Sequence, residues 1–280
     1  AVATAVAPGE QSMSRRVDFT SMNGVVIRQA TQLGESALQA LGVPFEAKNR
    51  YVLSALPDGK TVASSPGSRE KWAPNSVELA SLPPILHAHE ESSMCERIAL
   101  NYCGCGNLRN LKLHYFNDGG EQMTQLRPFT GLGAGCCCPV GSKLLVDGQP
   151  MGRVQEDCAP CSPQWLTRAF QLCCLCTSYY KADEWNAEKQ SFTPKYTLRY
   201  NIACCGRVNN CCGATCLNND AIFDVLDQEG NVVAYIQKTY GGGDQGGAFC
   251  RCVFQFSNYI VSFPEKTSHA ERALILSAVM

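Results

Sequence analysis

Hydrophobic and polar positions change their period twice along the chain. From about Val25 to Leu41, Val26, Ala30, Leu33, Ala37, Leu38 and Leu41 recur at three- and four-residue spacing, the period of an amphipathic helix. Gly42 supplies its stop. From Asn49 onward the pattern shifts to short alternating runs divided by turn residues. Leu111, Leu113 and Tyr115 alternate with Lys112, His114 and Phe116, and Asp118-Gly119-Gly120 provides a hairpin turn. The same layout recurs in Leu53–Val62, Leu144–Met151 and Phe223–Tyr235. Repeated hairpins of one design predict a closed antiparallel barrel or a sandwich, because such a sheet has to hide its edges.

Two stretches interrupt this regularity. Residues 64–92, with Pro66, Pro74, Pro83 and Pro84, read as a long loop, and residues 176–195 as a polar insertion. After Pro264 the period returns to helix. Ser268-His269-Ala270-Glu271 fits a capping box, and Ala270, Ala273, Leu274, Ile275, Leu276, Ala278 and Val279 leave almost no polar face. A helix apolar all round has to be buried, in protein or in lipid.

Composition narrows the function classes. The 280 residues carry 24 Lys+Arg against 25 Asp+Glu, so the overall charge favours no nucleic-acid partner. No apolar run reaches the roughly 20 residues that a membrane-spanning helix needs. The 18 cysteines form tight groups, many of them vicinal. Vicinal cysteines close no useful loop, so they read as reduced thiols in an intracellular, reducing compartment. Residues 1–21 read as an unstructured or processed N-terminal segment and residues 22–280 as one domain.

The order of motifs resembles the phospholipid scramblase family. Val25-Val-Ile-Arg-Gln29 and Leu41-Gly-Val-Pro-Phe-Glu-Ala-Lys-Asn-Arg-Tyr51 resemble its opening helix and first strand. Asn107–Leu113, Arg127-Pro128 and Cys136-Cys137-Cys138-Pro139 resemble the strands leading to its palmitoylation motif. Gly148–Gly152, Cys204–Cys216, Phe223–Asp227, Ile236–Tyr240 and Tyr259–Pro264 follow in family order. The resemblance implies a mainly β fold: a closed antiparallel tubby-like β-barrel around a hydrophobic C-terminal helix, with a short N-terminal helix. It also implies calcium-dependent movement of phospholipids between membrane leaflets.

Several residues carry chemistry on this reading. Family resemblance implies S-acylation of Cys136, Cys137 and Cys138, against an unmodified loop with buried thiols. One acyl chain anchors marginally and two anchor stably, at about 0.8 kcal/mol per buried CH2, so a triple cluster would hold the barrel on a phospholipid membrane surface. The calcium segment is degraded, since Gln255, Ser257 and Asn258 stand where acidic side chains are expected, and calcium wants carboxylates among its oxygens. Cys158 and Cys161 with Cys173 and Cys176 have spacing that zinc can use, or else are small buried hydrophobes. His87 and His89 read as loop residues, His114 as outward on a strand and His269 as lying in a helix's first turn; none completes a catalytic triad. Gly241–Gly247 lacks the Gly-Lys-Ser/Thr ending of a phosphate loop. The second functional reading is a non-catalytic structural or adaptor subunit, with protein partners contacted through 64–92 and 176–195. The expected location is the cytoplasmic face of a membrane or, alternatively, mitochondria.

Overall fold

The computed structural model describes residues 16–30, 50–65, 72–93, 96, 110–128, 141–157, 177–201, 221–239 and 258–280. Within them lie twelve strands: β1 (Gly24–Ala30), β2 (Arg50–Ala55), β3 (Pro84–Glu91), β4 (Leu111–Asn117), β5 (Gly120–Arg127), β6 (Gly141–Val146), β7 (Gln149–Asp157), β8 (Tyr179–Asn186), β9 (Ser191–Arg199), β10 (Ala221–Leu226), β11 (Val232–Thr239) and β12 (Asn258–Ser262). Each pairs antiparallel with its neighbours in the chain. β1 also pairs with β12, Val25 facing Val261 and Ile27 facing Tyr259, which closes the barrel and removes both sheet edges. The chain is therefore mainly β, a closed antiparallel barrel of up-and-down strands.

Four of the five connections at one rim, β4–β5, β6–β7, β8–β9 and β10–β11, are short and carry the residues that tight turns demand, while the fifth, β2–β3, runs through residues 56–83. Asp147 and Gly148 join β6 to β7 with φ of 50° and 75°, both in the left-handed region that a two-residue hairpin turn requires. The connections at the opposite rim are all long.

The barrel is filled. Helix α2 (His269–Ser277) starts with the anticipated capping box: Ser268 Oγ accepts from the Glu271 N–H at 3.2 Å, and Glu271 Oε2 accepts from the Ser268 N–H at 2.8 Å. Ala273, Leu274, Ile275 and Leu276 have no exposed surface. One hydrophobic cluster joins this helix to inward residues of every strand, among them Ile27, Leu53, Leu86, Tyr115, Met123, Leu144, Val154, Ala182, Leu198, Phe223, Ile236 and Val261. A helix that shares a core with all the staves of a closed barrel lies inside it. Each of its buried Leu and Ile side chains contributes about 1.5–3 kcal/mol. Gly152 on β7 makes the fit possible, because a Cβ there would overlap the Leu274 side chain and lie 2.6 Å from the Asp183 carbonyl.

Both ends of the helix are tied to the wall. At its last turn, Gln125 Nε2 donates to the Ser277 carbonyl at 2.8 Å and the Tyr200 hydroxyl to the Ala278 carbonyl at 3.2 Å, giving partners to groups a helix end leaves orphaned. At its first turn, buried Arg272 donates to the carbonyls of Phe19 (2.7 Å), Thr20 (3.1 Å) and Met22 (2.6 Å) and to Thr267 Oγ1 (2.8 Å). These carbonyls belong to the strap that precedes β1, whose 3-10 turn spans Phe19–Ser21.

Four expectations are corrected. The N-terminal helix does not begin at Val25: residues 24–30 are β1, and the remainder of that span lies outside the described residues. Val25-Val26-Ile27 is β-branched, which favours strand. It is buried on both faces, inside by the barrel core and outside by Leu56 and Leu79, so its alternation is hidden. Residues 64–92 are not one loop. They include helix α1 (Ser76–Ser81), capped by Asn75, and β3, with Pro84 at the strand's first position, where proline is tolerated.

Residues 176–195 are not an insertion, since 179–186 and 191–195 are staves of the barrel. Their polar look comes from the outward face. The hairpin expected within Leu53–Val62 is also revised, because β2 pairs with β3 and the stretch after the turn instead packs Val62 and Ala63 over the barrel's outer face.

Candidate functional site

Antiparallel alternation sends the connections β1–β2, β3–β4, β5–β6, β7–β8, β9–β10 and β11–β12 from a single rim. All 18 cysteines fall in these connections and lie outside the described residues, including Cys136, Cys137 and Cys138 and the candidate zinc set Cys158, Cys161, Cys173 and Cys176. Gln255 and Ser257 lie outside them too. Asn258 is described: it opens β12, is buried, and its Oδ1 accepts the Gln29 N–H at 3.2 Å. Its buried Oδ1 already accepts a backbone N–H and an amide brings no carboxylate charge, so Asn258 fits a calcium site poorly.

The opposite mouth carries a cleft of about 320 Å³ between the Arg16–Phe19 strap and the start of α2. Leu86, Met123, Val146 and Met151 line it with apolar surface, and Arg16, Asp18, Gln122 and His269 line it with polar groups. Arg16 is paired with Asp147, and the Val17 N–H donates to Gln122 Oε1 at 3.2 Å. The His269 ring stacks on Phe19 at 5.1 Å between centroids. Burial pushes the His269 imidazole below its ordinary value of 6.5, against the pull of Asp18. The cleft ends on the helix's first turn.

His87 and His89 face outward on β3, a correction to their loop placement that follows from the inward alternation of Leu86, Ala88 and Glu90. His114 faces outward on β4 as expected and bridges three strands. Its Nδ1 meets Glu121 Oε1 at 2.8 Å and its Nε2 meets Glu91 Oε2 at 3.0 Å, with Lys112 3.8 Å from Glu91. Burial opposes protonation, but the bonds to Glu121 and Glu91 outweigh it and raise the imidazole above 6.5. Both bonds can be donated only by imidazolium.

A group whose folded pKa exceeds its unfolded one stabilises fully below the unfolded value and loses that contribution as pH rises through the folded value. Urea midpoints of the wild type are therefore expected to fall as pH rises from about 6.5 through the raised value. The His114→Gln variant is expected to show a flatter profile there, and parallel profiles would refute the assignment.

Two ion pairs on the wall have buried carboxylates. Asp224 has no exposure and accepts from Arg199 Nε at 2.9 Å, Arg199 Nη2 at 2.5 Å and Asn201 Nδ2 at 2.7 Å. Asp183 accepts from Arg153 Nε at 2.7 Å. Sequence reasoning singled out none of these residues, since their pairing depends on which strands become neighbours. Among the described residues no group of three or more His, Cys, Asp or Glu side chains is placed to hold a metal ion, and no helix is long and apolar enough to cross a membrane. Comparison with protein-family models, with known proteins and with solved structures finds no match to this chain.

Proposed function

We propose that this chain is a barrel of the phospholipid-scramblase kind that works as a membrane-associated binding scaffold, without moving lipid itself. The observation that carries this reading is the filled barrel: α2 occupies the interior with Ala273–Leu276 fully buried. A lipid headgroup crossing between leaflets needs a continuous polar path, and α2 fills the lumen, its Ala273–Leu276 segment packed against Leu, Ile, Val and Phe side chains of the staves, so the inward polar groups such as Glu90, Gln125 and Lys238 are not joined into an open one. Asn258, committed to Gln29, supports the loss of calcium control. Membrane attachment on this reading is through S-acylation of Cys136, Cys137 and Cys138, from a reducing compartment, at the cytoplasmic face of a membrane or in mitochondria. Protein partners would meet the outward faces of α1, β3 and the β8–β9 hairpin.

Reconstitution into vesicles carrying a fluorescent phospholipid tests it. The protein is expected to leave the inner-leaflet label protected from an external quencher with and without calcium. Quenching of the inner label in either condition overturns the reading in favour of lipid translocation.

A further inference from the structure

Beyond the scaffold reading, and independent of it, we propose that the pocket at the carboxyl-terminal end of α2 binds a small monocarboxylate with an apolar body, a short-chain fatty acid or an aromatic acid, with Lys238 as its ion-pairing group. Strand geometry places the lysine. Side chains two residues apart share a face of a strand, and Ala234 and Ile236 on β11 are inward members of the core. Lys238 is the next inward position, opposite Ala221 on β10 and Tyr259 on β12. At that level the lumen holds a pocket of about 170 Å³, lined by Leu198, Tyr200, Phe223, Ile236, Tyr259 and the helix end at Ala278 and Val279. Among the described residues, Lys238 is the one charged residue of this lining.

Three features fit the ligand class. The walls are aliphatic and aromatic, so they favour an apolar body. They are also braced, since the Tyr200 ring lies 4.7 Å from both Tyr180 and Phe223 while its hydroxyl holds the Ala278 carbonyl. The volume is below the roughly 300 Å³ of ordinary ligand pockets, which excludes a diacyl lipid and leaves room for a short chain or a single ring. An ammonium carries three donors, so a carboxylate can bind beside the interaction Lys238 already has and requires no idle lysine. In surroundings poor in water such a charge-assisted bond is stronger than it is at the surface. Burial lowers the Lys238 amine below its ordinary value, in keeping with a desolvated cation that gains from a carboxylate.

The test uses the full chain, with hexanoate and benzoate as probes and hexan-1-ol and hexylammonium as controls. Calorimetric titration is expected to give saturable hexanoate binding that weakens by about tenfold or more in Lys238→Met, with hexan-1-ol affinity unchanged. Mass-spectrometric footprinting of the wild type with an amine acylating reagent supplies a readout free of any folding defect. Saturating hexanoate is expected to slow labelling of Lys238 and not of Lys60 or Lys112, while hexylammonium protects none. Unprotected Lys238, equal hexanoate affinity in the variant, or no saturable binding by about 10 mM would each overturn the proposal.

Discussion

Replacing Arg272 with alanine is expected to destabilise the protein by about 3–5 kcal/mol, read as a drop in urea midpoint. The guanidinium serves three carbonyls of the Phe19–Met22 strap and the Thr267 hydroxyl, and it lies 5.4 Å from the Phe263 ring. Removing it takes the side-chain donor from the part-buried Thr20 and Met22 carbonyls, at about 1–3 kcal/mol for each buried group left unpaired, leaves the Phe19 carbonyl with the Met22 N–H alone, and frees the strap from the barrel mouth. Arg272→Met separates the causes, because it keeps most of the packing and none of the donors. The expected loss is nearly as large, with faster proteolysis within the strap. A methionine variant within about 0.5 kcal/mol of the wild type would show that packing, and not the hydrogen bonds, holds the mouth closed.

A loss of similar size, about 3–5 kcal/mol, is expected for Asp224→Ala. That change strands the Arg199 guanidinium and the Asn201 amide around a fully buried position on β10. Adding Arg199→Met to Asp224→Ala is expected to recover part of the loss, because the uncompensated cation leaves with its partner. The double-mutant cycle measures this directly. Strict additivity of the two changes would mean that the ion pair is not what the β9–β10 wall depends on.

The same chemistry explains what could be read along the chain beforehand. Hairpins announced themselves wherever the turn needed a special residue, as at Asp147-Gly148 and at Gly120, whose φ is 110°. The terminal helix was legible at both levels, through the Ser268–Glu271 box and an apolar circumference that only an enclosed helix can carry. Strands buried on both faces were not legible. In β1 the outward Val26 is covered by Leu56 and Leu79, which turned a period of two into an apolar run readable as one helical face.

β8 and β9 failed in the opposite way. Outward residues such as Lys181, ion-paired to Asp157, are polar, Glu184 and Lys195 pair with each other where Lys195 also meets Glu271 at the start of α2, and together they hid the inward Ala182 and Leu198. The amino-terminal cleft and the two wall ion pairs have no local signature, because strap, helix and strands meet there from distant parts of the chain. The lumenal place of Lys238 follows from two-residue alternation once β11 is known to be a stave.

The seam between β1 and β12 has a further consequence, for the order in which the molecule is completed during synthesis. Growth from the amino terminus makes β1 first, but its partner on that side arrives only when residues 258–262 emerge, and α2 comes later still. Until then the nascent sheet exposes two unpaired edges, β1 and its latest strand, and an apolar inner face that nothing fills, the condition under which chains aggregate. Long-range closure of this kind also folds slowly, since distant segments must meet before their contacts reward them. Residues 268–280 are therefore the segment the open sheet waits for: in the folded barrel they fill the core and, through Arg272, hold the amino-terminal strap across the mouth.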